Sequence, residues 1–262
     1  MRTADLQVGI SLALVVIWLA LAVVALTGRG GVIRLAGWPA LVAGGAATGL
    51  FAVYAGIVDA VADPAPLAAA DGPTLRWMVD HRAGLLTPFM VAVSNAGGTL
   101  GMTVLTAIGV CLLTWMRRFR DAIVVLVAGT VAGPLVSAYK NLYARQRPPA
   151  ATQVVAEPTY ALPSGHSLSS MVVVGILAAV VILTLRSSVW RTLVLFAAAL
   201  VVVTIGVSRL YLGVHWLTDV LAGWSIGGAW LSLCTAALLY GRHSSGRDRG
   251  PASAIRSSLS RR

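Results

Sequence analysis

Three short clusters of polar residues, each at the edge of an apolar run, hold the side chains of this sequence that could do chemistry. The first cluster contains Lys140, the only lysine of the chain, and Arg147, seven residues later. If one helix continues through both positions, they share a face, two turns apart. Two cations on one face predict binding of an anion with several oxygens. Both side chains are also of the kind that extends from the end of a membrane helix into water.

The second cluster is Pro163-Ser164-Gly165-His166, directly before an apolar run that begins at residue 167. Proline, serine and glycine predict a turn into a helix, with Ser164 as its cap. Backbone N–H groups at a helix start form an anion site, and glycine lets a phosphate approach closely. His166 stands beside that site, and taken alone it could be functional or structural.

The third cluster runs from Ser208-Arg209 to His215 and Asp219. His215 and Asp219 are four residues apart and would face the same way on one helix. A carboxylate that binds an imidazole fixes its tautomer and stabilises its charged form, which prepares it for proton transfer or nucleophilic attack. The alternative is a buried polar pair that joins two helices.

Together the clusters resemble the type 2 phosphatidic acid phosphatase (lipid phosphate phosphatase) superfamily, which includes bacterial undecaprenyl-pyrophosphate phosphatases and vanadium haloperoxidases. The family pattern is Lys-x6-Arg-Pro, then Pro-Ser-Gly-His, then Ser-Arg-x5-His-x3-Asp. Every position of it is present in order: Lys140, Arg147, Pro148, Pro163, Ser164, Gly165, His166, Ser208, Arg209, His215 and Asp219. The resemblance spans about 71–235, and the first hydrophobic segment looks like an addition to the six-span bacterial pattern.

The resemblance implies that His215 is the nucleophile, that Asp219 orients it, and that His166 protonates the departing oxygen and then activates water. The groups implied to hold phosphate are Lys140, Arg147, Arg209 and the N–H groups near Ser164 and Gly165. Phosphoryl transfer needs positioning and charge stabilisation of the phosphate oxygens, which three cations can supply. A two-metal site would need several converging carboxylates, but only Asp219 of nine acids lies in a motif. We therefore expect no metal and no cofactor.

Residues near these motifs are harder to interpret. Arg145 is interpreted as functional. Tyr143, Glu157 and Tyr160 stay undetermined.

The elements that position these clusters are predicted to be membrane helices. Hydrophobic residues make up 58% of the 262 positions and charged residues only 11%, against about a quarter charged in soluble domains. Seven apolar runs have roughly the 20-residue length that crosses a bilayer: 8–27, 39–61, 88–115, 121–140, 167–185, 192–208 and 216–240. The predicted fold is an all-α, polytopic membrane helix bundle, in which a six-helix phosphatase core follows one N-terminal helix.

Charge predicts the orientation of this bundle. The formal net charge of +11 would suggest nucleic acid in a soluble protein, but here the arginines concentrate in alternate loops and in the tail. By the positive-inside rule those loops are cytoplasmic, so all three clusters face outward. We predict one membrane-embedded domain over 1–240 and a basic, disordered cytoplasmic tail over 241–262. Cys111 and Cys234 lie in apolar runs and imply neither a disulfide nor a zinc site.

One outward segment, 62–87, is interrupted by proline and glycine. Leu75 to Leu86 is predicted to form a short helix in the membrane interface, with Trp77 at headgroup depth. Asp80, His81 and Arg82 are expected at the interface, and His81 is expected to be a surface residue.

The resemblance implies hydrolysis of a phosphomonoester or pyrophosphate of a lipid. Undecaprenyl pyrophosphate is the first candidate, because an outward site in a bacterial plasma membrane suits recycling of the cell-wall lipid carrier; phosphatidic acid or phosphatidylglycerophosphate is the alternative. A non-catalytic transporter also fits seven spans but predicts a continuous polar path through the membrane. The expected partners are a lipid phosphate substrate and membrane lipids, without nucleic acid.

Overall fold

A computed structural model of the chain describes residues 31–63 and 66–247. The predicted first span, 8–27, and residues 248–262 of the predicted tail lie outside the described residues. Within the described part, the regular structure is helical. The helices are α1 (Gly31–Ala62), α2 (Pro66–Ala69), α3 (Asp71–Asp80), α4 (Leu86–Gly97), α5 (Thr99–Trp115), α6 (Phe119–Tyr143), a 3-10 turn (Ala150–Thr152), α7 (Gly165–Ile182), α8 (Ser188–Tyr211) and α9 (Leu217–Arg247).

The helical membrane bundle predicted from the sequence is confirmed. Five stretches among the described residues are long and apolar enough to cross a membrane, and the bent pair α4–α5 makes up to six. The five stretches are Leu41–Ala62, Phe119–Tyr143, Gly165–Ile182, Ser188–Tyr211 and Leu217–Leu239. The chain is a multi-pass membrane protein.

The predicted span 88–115 is two helices that meet at a bend of 52°. The break falls at Gly98, which has an extended backbone with φ −74° and ψ 177°. A Cβ at Gly98 would stand 3.4 Å from His166 Nε2. The bend therefore brings the start of α5 against the histidine of the second cluster.

Helix α9 packs against α1, α7 and α6. Gly223 and Gly227 lie one and two turns after Asp219, and a Cβ at Gly223 would be only 2.7 Å from the Ser164 carbonyl oxygen. Small residues of this kind let two membrane helices approach backbone to backbone. The Ser164 N–H donates to the Asp219 carbonyl at 2.9 Å, so the second and third clusters are joined directly.

The interfacial segment begins earlier than predicted. Helix α3 runs over Asp71–Asp80 rather than from Leu75 to Leu86, because Pro73 falls in the first turn, where its missing N–H breaks no helical hydrogen bond. Trp77 is 57% exposed. His81 is exposed, as expected, and stacks on Trp77 at 4.5 Å between ring centroids.

All three clusters lie at one end of the bundle, at the end of α6, the start of α7, the end of α8 and the loop before α9. Helix α9 continues to Arg247, past residue 241, where the disordered tail was predicted to begin.

Candidate active site

A cavity of about 340 Å³ lies at this end of the bundle. Most of the residues predicted from the three motifs line it. These are Lys140, Arg147, Gly165, His166, Arg209 and His215. Glu157 and Thr159, from the loop between α6 and α7, line it as well. The structure therefore brings together in one pocket residues that are far apart in the sequence.

His215 is held by Asp219 behind it. His215 Nδ1 lies 3.3 Å from Asp219 Oδ2, and both residues are buried. The two do not share a helix face, since α9 begins only at Leu217 and His215 lies in the preceding turn. Asp219 sits in the first turn of α9 and accepts the Trp216 N–H at 2.9 Å, which is a favourable place for a carboxylate.

The tautomer of His215 follows from its second ring nitrogen. Arg147 Nη1 lies 3.2 Å from His215 Nε2. Arginine can only donate, so Nε2 accepts and the ring proton is on Nδ1, directed at Asp219. Burial, with Arg147 and Arg209 nearby, lowers the pKa of His215 well below its usual value. The ring is therefore neutral, with the lone pair of Nε2 on the side of Arg147.

A tight turn sets the position of His215. Gly213 has φ +70°, a left-handed conformation that favours glycine. A Cβ there would also overlap the Thr152 carbonyl. Val154 N–H donates to the Leu212 carbonyl at 2.9 Å, so the long loop is tied to this turn.

Asp219 belongs to a second network that sequence reasoning missed. Arg145 Nη1 forms an ion pair with Asp219 Oδ1, and Arg145 Nη2 lies 2.7 Å from Asp71 Oδ2. Thr218 donates to Asp71 through its N–H at 2.9 Å and its hydroxyl at 2.7 Å. Arg145, interpreted as functional from sequence, thus supports the carboxylate behind His215. Asp71 is 5% exposed, and nothing in its Asp-Gly-Pro context distinguished it from a turn residue.

Lys140 and Arg147 reach the pocket by different routes. Helix α6 ends at Tyr143, and Ala144 has φ 45° in the left-handed region, so the two cations do not share one helix face. Lys140 Nζ donates to the Tyr160 carbonyl at 2.7 Å. Arg147 Nε donates to the Thr159 carbonyl at 2.6 Å. The loop carbonyls fix both cations at the cavity wall.

Arg209 is 2% exposed and pairs with a carboxylate inside the cavity. One guanidinium Nη donates to Ser94 Oγ and the other to Glu157 Oε1. Glu157 Oε2 also lies 3.8 Å from Arg147 Nη2. Burial by itself would raise the pKa of Glu157, but Arg209 and Arg147 outweigh it and the net pKa is lowered. Glu157, which sequence reasoning left undetermined, is therefore an anion on two of the predicted phosphate ligands.

Ser164 caps α7, as predicted, with its hydroxyl accepting the Ser167 N–H at 3.5 Å. The Ser164 N–H is donated to Asp219, and its side chain is fully buried. Gly165 and His166 begin the helix, where N–H groups have no carbonyl one turn earlier. Of Ser164 and Gly165, whose N–H groups were predicted to hold phosphate, Gly165 lines the cavity.

An apolar groove of about 460 Å³ runs between α5 and α6. Thr99, Gly133 and Ser169 line both the groove and the cavity. The groove is walled by side chains such as Met102, Val110, Leu126 and Val173. The cavity and the apolar groove therefore adjoin each other, and the groove lies along membrane-spanning helices.

Comparison with known proteins identifies similar chains. Residues 121–242 match the family model described as the PAP2 superfamily. The chain is 30% identical over 160 residues to phosphatidylglycerophosphatase B of Bacillus subtilis, covering 60% of this chain and 78% of that protein. It is 29% identical over 163 residues to an undecaprenyl-diphosphatase of Sulfolobus acidocaldarius, covering 60% and 73%.

A solved structure is similar as well. It is the crystal structure of a transmembrane PAP2-type phosphatidylglycerolphosphate phosphatase from Bacillus subtilis, with a TM-score of 0.66 and 26% identity. The match covers 76% of this chain and 96% of the solved one.

Proposed function

The chain belongs to the PAP2 superfamily and is a membrane lipid phosphatase of that family, and from this premise we propose that it works through a phosphohistidine on His215, without a metal, on the extracytoplasmic side. The observation that carries the proposal is a neutral His215, oriented through Nδ1 by Asp219, at a cavity ringed by three cations. The apolar groove that adjoins the cavity supports a lipid substrate.

In the proposed first step, His215 Nε2 releases the Arg147 donor and attacks phosphorus. The bond between phosphorus and the leaving oxygen breaks, and that oxygen takes a proton from His166, which enters this step as an imidazolium and leaves it neutral. The leaving oxygen belongs to the lipid alcohol of a phosphomonoester or to the lipid monophosphate of a pyrophosphate. In the second step His166 removes a proton from water, which attacks phosphorus and releases orthophosphate from Nε2. Asp219 stabilises the charge on the ring in both steps. Lys140, Arg147, Arg209 and the N–H of Gly165 stabilise the charge on the equatorial oxygens.

Metal independence follows from this division of work. The three cations supply the charge that metal ions supply in two-metal phosphatases. The Asp219 carboxylate is already engaged by Arg145, the Trp216 N–H and His215.

Two substrate classes are candidates. A polyprenyl pyrophosphate such as undecaprenyl pyrophosphate is the first, and a relative from Sulfolobus acidocaldarius carries the name undecaprenyl-diphosphatase. Phosphatidylglycerophosphate is the second, and the relative named phosphatidylglycerophosphatase B favours it. Membership of a phosphatase family removes the reason to keep a transporter as an alternative.

A panel of substrates tests the proposed function. Purified full-length protein is given undecaprenyl pyrophosphate, phosphatidylglycerophosphate, phosphatidic acid and a soluble phosphate ester, each with and without EDTA. We expect phosphate release that EDTA does not reduce, with kcat/KM highest for undecaprenyl pyrophosphate. Activity that vanishes in EDTA and returns with magnesium would contradict the metal-free mechanism. A higher kcat/KM for phosphatidylglycerophosphate would assign the second substrate class.

The nucleophile has its own test. His215→Ala should abolish turnover and remove acid-labile, alkali-stable label from protein quenched with radiolabelled substrate. Asp80→Asn, at an exposed position on α3, serves as the control and should label normally. A His215→Ala protein that folds and still turns over at the normal rate would exclude His215 as the nucleophile.

A further inference from the structure

Glu157 is a feature of the cavity that the mechanism above does not use. It is the only glutamate of the chain, and it lines the cavity together with Lys140, Arg147 and Arg209. A carboxylate is unexpected at a phosphate-binding site, because its negative charge repels the ligand. This carboxylate therefore needs an explanation of its own.

Two of the five N–H groups of Arg209 donate to other side chains. Nη1 donates to Ser94 Oγ and Nη2 donates to Glu157 Oε1. The Nε atom is buried, so it offers no surface to a ligand in the cavity. The carboxylate that pairs with Arg209 also lines the cavity, so a phosphate that approaches Arg209 from the cavity meets Glu157.

Arg147 is occupied in a similar way. Its Nη1 donates to the Val214 carbonyl at 2.6 Å and approaches His215 Nε2. Its Nη2 donates to Thr159 Oγ1 at 3.1 Å and lies 3.8 Å from the second oxygen of Glu157. One carboxylate therefore lies between the two guanidinium groups that the mechanism assigns to a phosphate.

We propose that the Glu157 carboxylate is an internal competitor of phosphate, which occupies the anion position on Arg209 and Arg147 in the empty site and leaves it when substrate binds. The proposal rests on the proposed function of the site, because it assumes that these arginines hold the transferred phosphate.

The consequence of this competition is a weakened affinity for orthophosphate. A buried site with three cations and no counter-charge would hold a product that carries about two negative charges tightly. Glu157 returns to the arginines as the product departs and so favours turnover.

A purely structural role for Glu157 predicts the opposite sign. If the carboxylate only positions the two guanidinium groups, its loss would let them move and would weaken phosphate binding. If it competes, its loss strengthens phosphate binding. The direction of the change in affinity therefore separates the two roles.

The test compares Glu157→Gln with the wild type and with Asp80→Asn, which removes an equal charge at an exposed position. Inhibition by orthophosphate is measured on the purified full-length protein with the soluble phosphate ester. We expect the inhibition constant to fall roughly tenfold or more in Glu157→Gln, the scale of one charge-assisted hydrogen bond, and to stay unchanged in Asp80→Asn. An unchanged or raised constant in Glu157→Gln would overturn the proposal.

A binding measurement keeps the test valid if Glu157→Gln turns over slowly. Thermal unfolding is followed with and without orthophosphate, since a ligand that binds the folded state raises Tm in proportion to its affinity. We expect a lower Tm for Glu157→Gln without phosphate and a larger rise with phosphate than in the wild type, with Glu157→Asp between the two. An equal or smaller rise, or no rise in any variant, would overturn the proposal. Failure of every lipid in the substrate panel would instead count against the proposed function, because this comparison needs no turnover.

Discussion

His215 is constrained at both ring nitrogens, and the two constraints agree. Asp219 accepts from Nδ1 and Arg147 donates to Nε2, so a single neutral tautomer satisfies both. The same cations that are predicted to hold phosphate also oppose protonation of the ring. The proposed nucleophile is therefore kept neutral by the same groups that are predicted to hold phosphate.

This arrangement makes a prediction for the pH dependence. The neutral ring is the proposed nucleophile, and burial together with Arg147 and Arg209 lowers the pKa of His215 well below its usual value. As pH falls through about 6.5, where a histidine normally takes up a proton, His215 should stay neutral and kcat/KM should not decline on its account. The measurement is kcat/KM of the soluble phosphate ester against pH, corrected for the ionisation of the ester. A decline of kcat/KM below about pH 6.5 that remains after this correction would contradict the lowered pKa of His215.

At the scale of elements, the short helix α3 is more than a connection between spans. It lies outside the matched family residues 121–242, yet it contributes Asp71, which binds both Thr218 and Arg145. Through Arg145 it acts on Asp219, and through Asp219 on His215. We therefore expect Asp71 to act as a positioning residue, two contacts away from His215.

Asp71→Asn tests this role. Loss of the charge should let Arg145 shift and loosen Asp219, so that kcat falls about tenfold to a hundredfold, as it does when a partner that orients a metal-binding side chain is lost. KM should change little, since Asp71 does not line the cavity. The pH profile of kcat should also move, because the charge balance around Asp219 and His215 changes. Asp80→Asn on the same helix should leave all three quantities unchanged. A proportional loss of kcat and of folded protein, with an unaltered pH profile, would assign Asp71 a role in folding alone.

The sequence predicted the elements well where composition alone decides them. The helical bundle was confirmed because a bilayer requires long apolar helices whatever their packing. The break at Gly98 and the end of α6 before Ala144 were not predicted, because both depend on tertiary contacts. At Gly98 an added Cβ would lie 3.4 Å from His166 Nε2. The chain after Tyr143 turns so that Arg145 contacts Asp219 and Arg147 contacts His215.

At the scale of the whole molecule, the motif residues could be found in the sequence because the family pattern fixes their types and spacing. The structure places six of them around one cavity, and their individual roles stay predictions. Asp71 and Glu157 could not be assigned in this way. Neither has a local pattern, and each acquires its partners only when α3 or the loop after α6 folds against the ends of α8 and α9.

The side of the membrane on which the cavity opens is the last prediction, and it concerns the molecule as a whole. Ala151 and Ser187 are exposed positions beyond the two opposite ends of α7, with Ala151 at the end that carries the cavity. The arginine-rich loops predict that this end faces outward. In a background with Cys111→Ser and Cys234→Ala, Ala151→Cys should react with a membrane-impermeant maleimide in intact spheroplasts. Ser187→Cys should react only after permeabilisation. The reverse pattern would place the cavity on the cytoplasmic side, where the enzyme would meet lipid phosphates of the inner leaflet. Recycling of an outward-facing lipid carrier would then be excluded as its role.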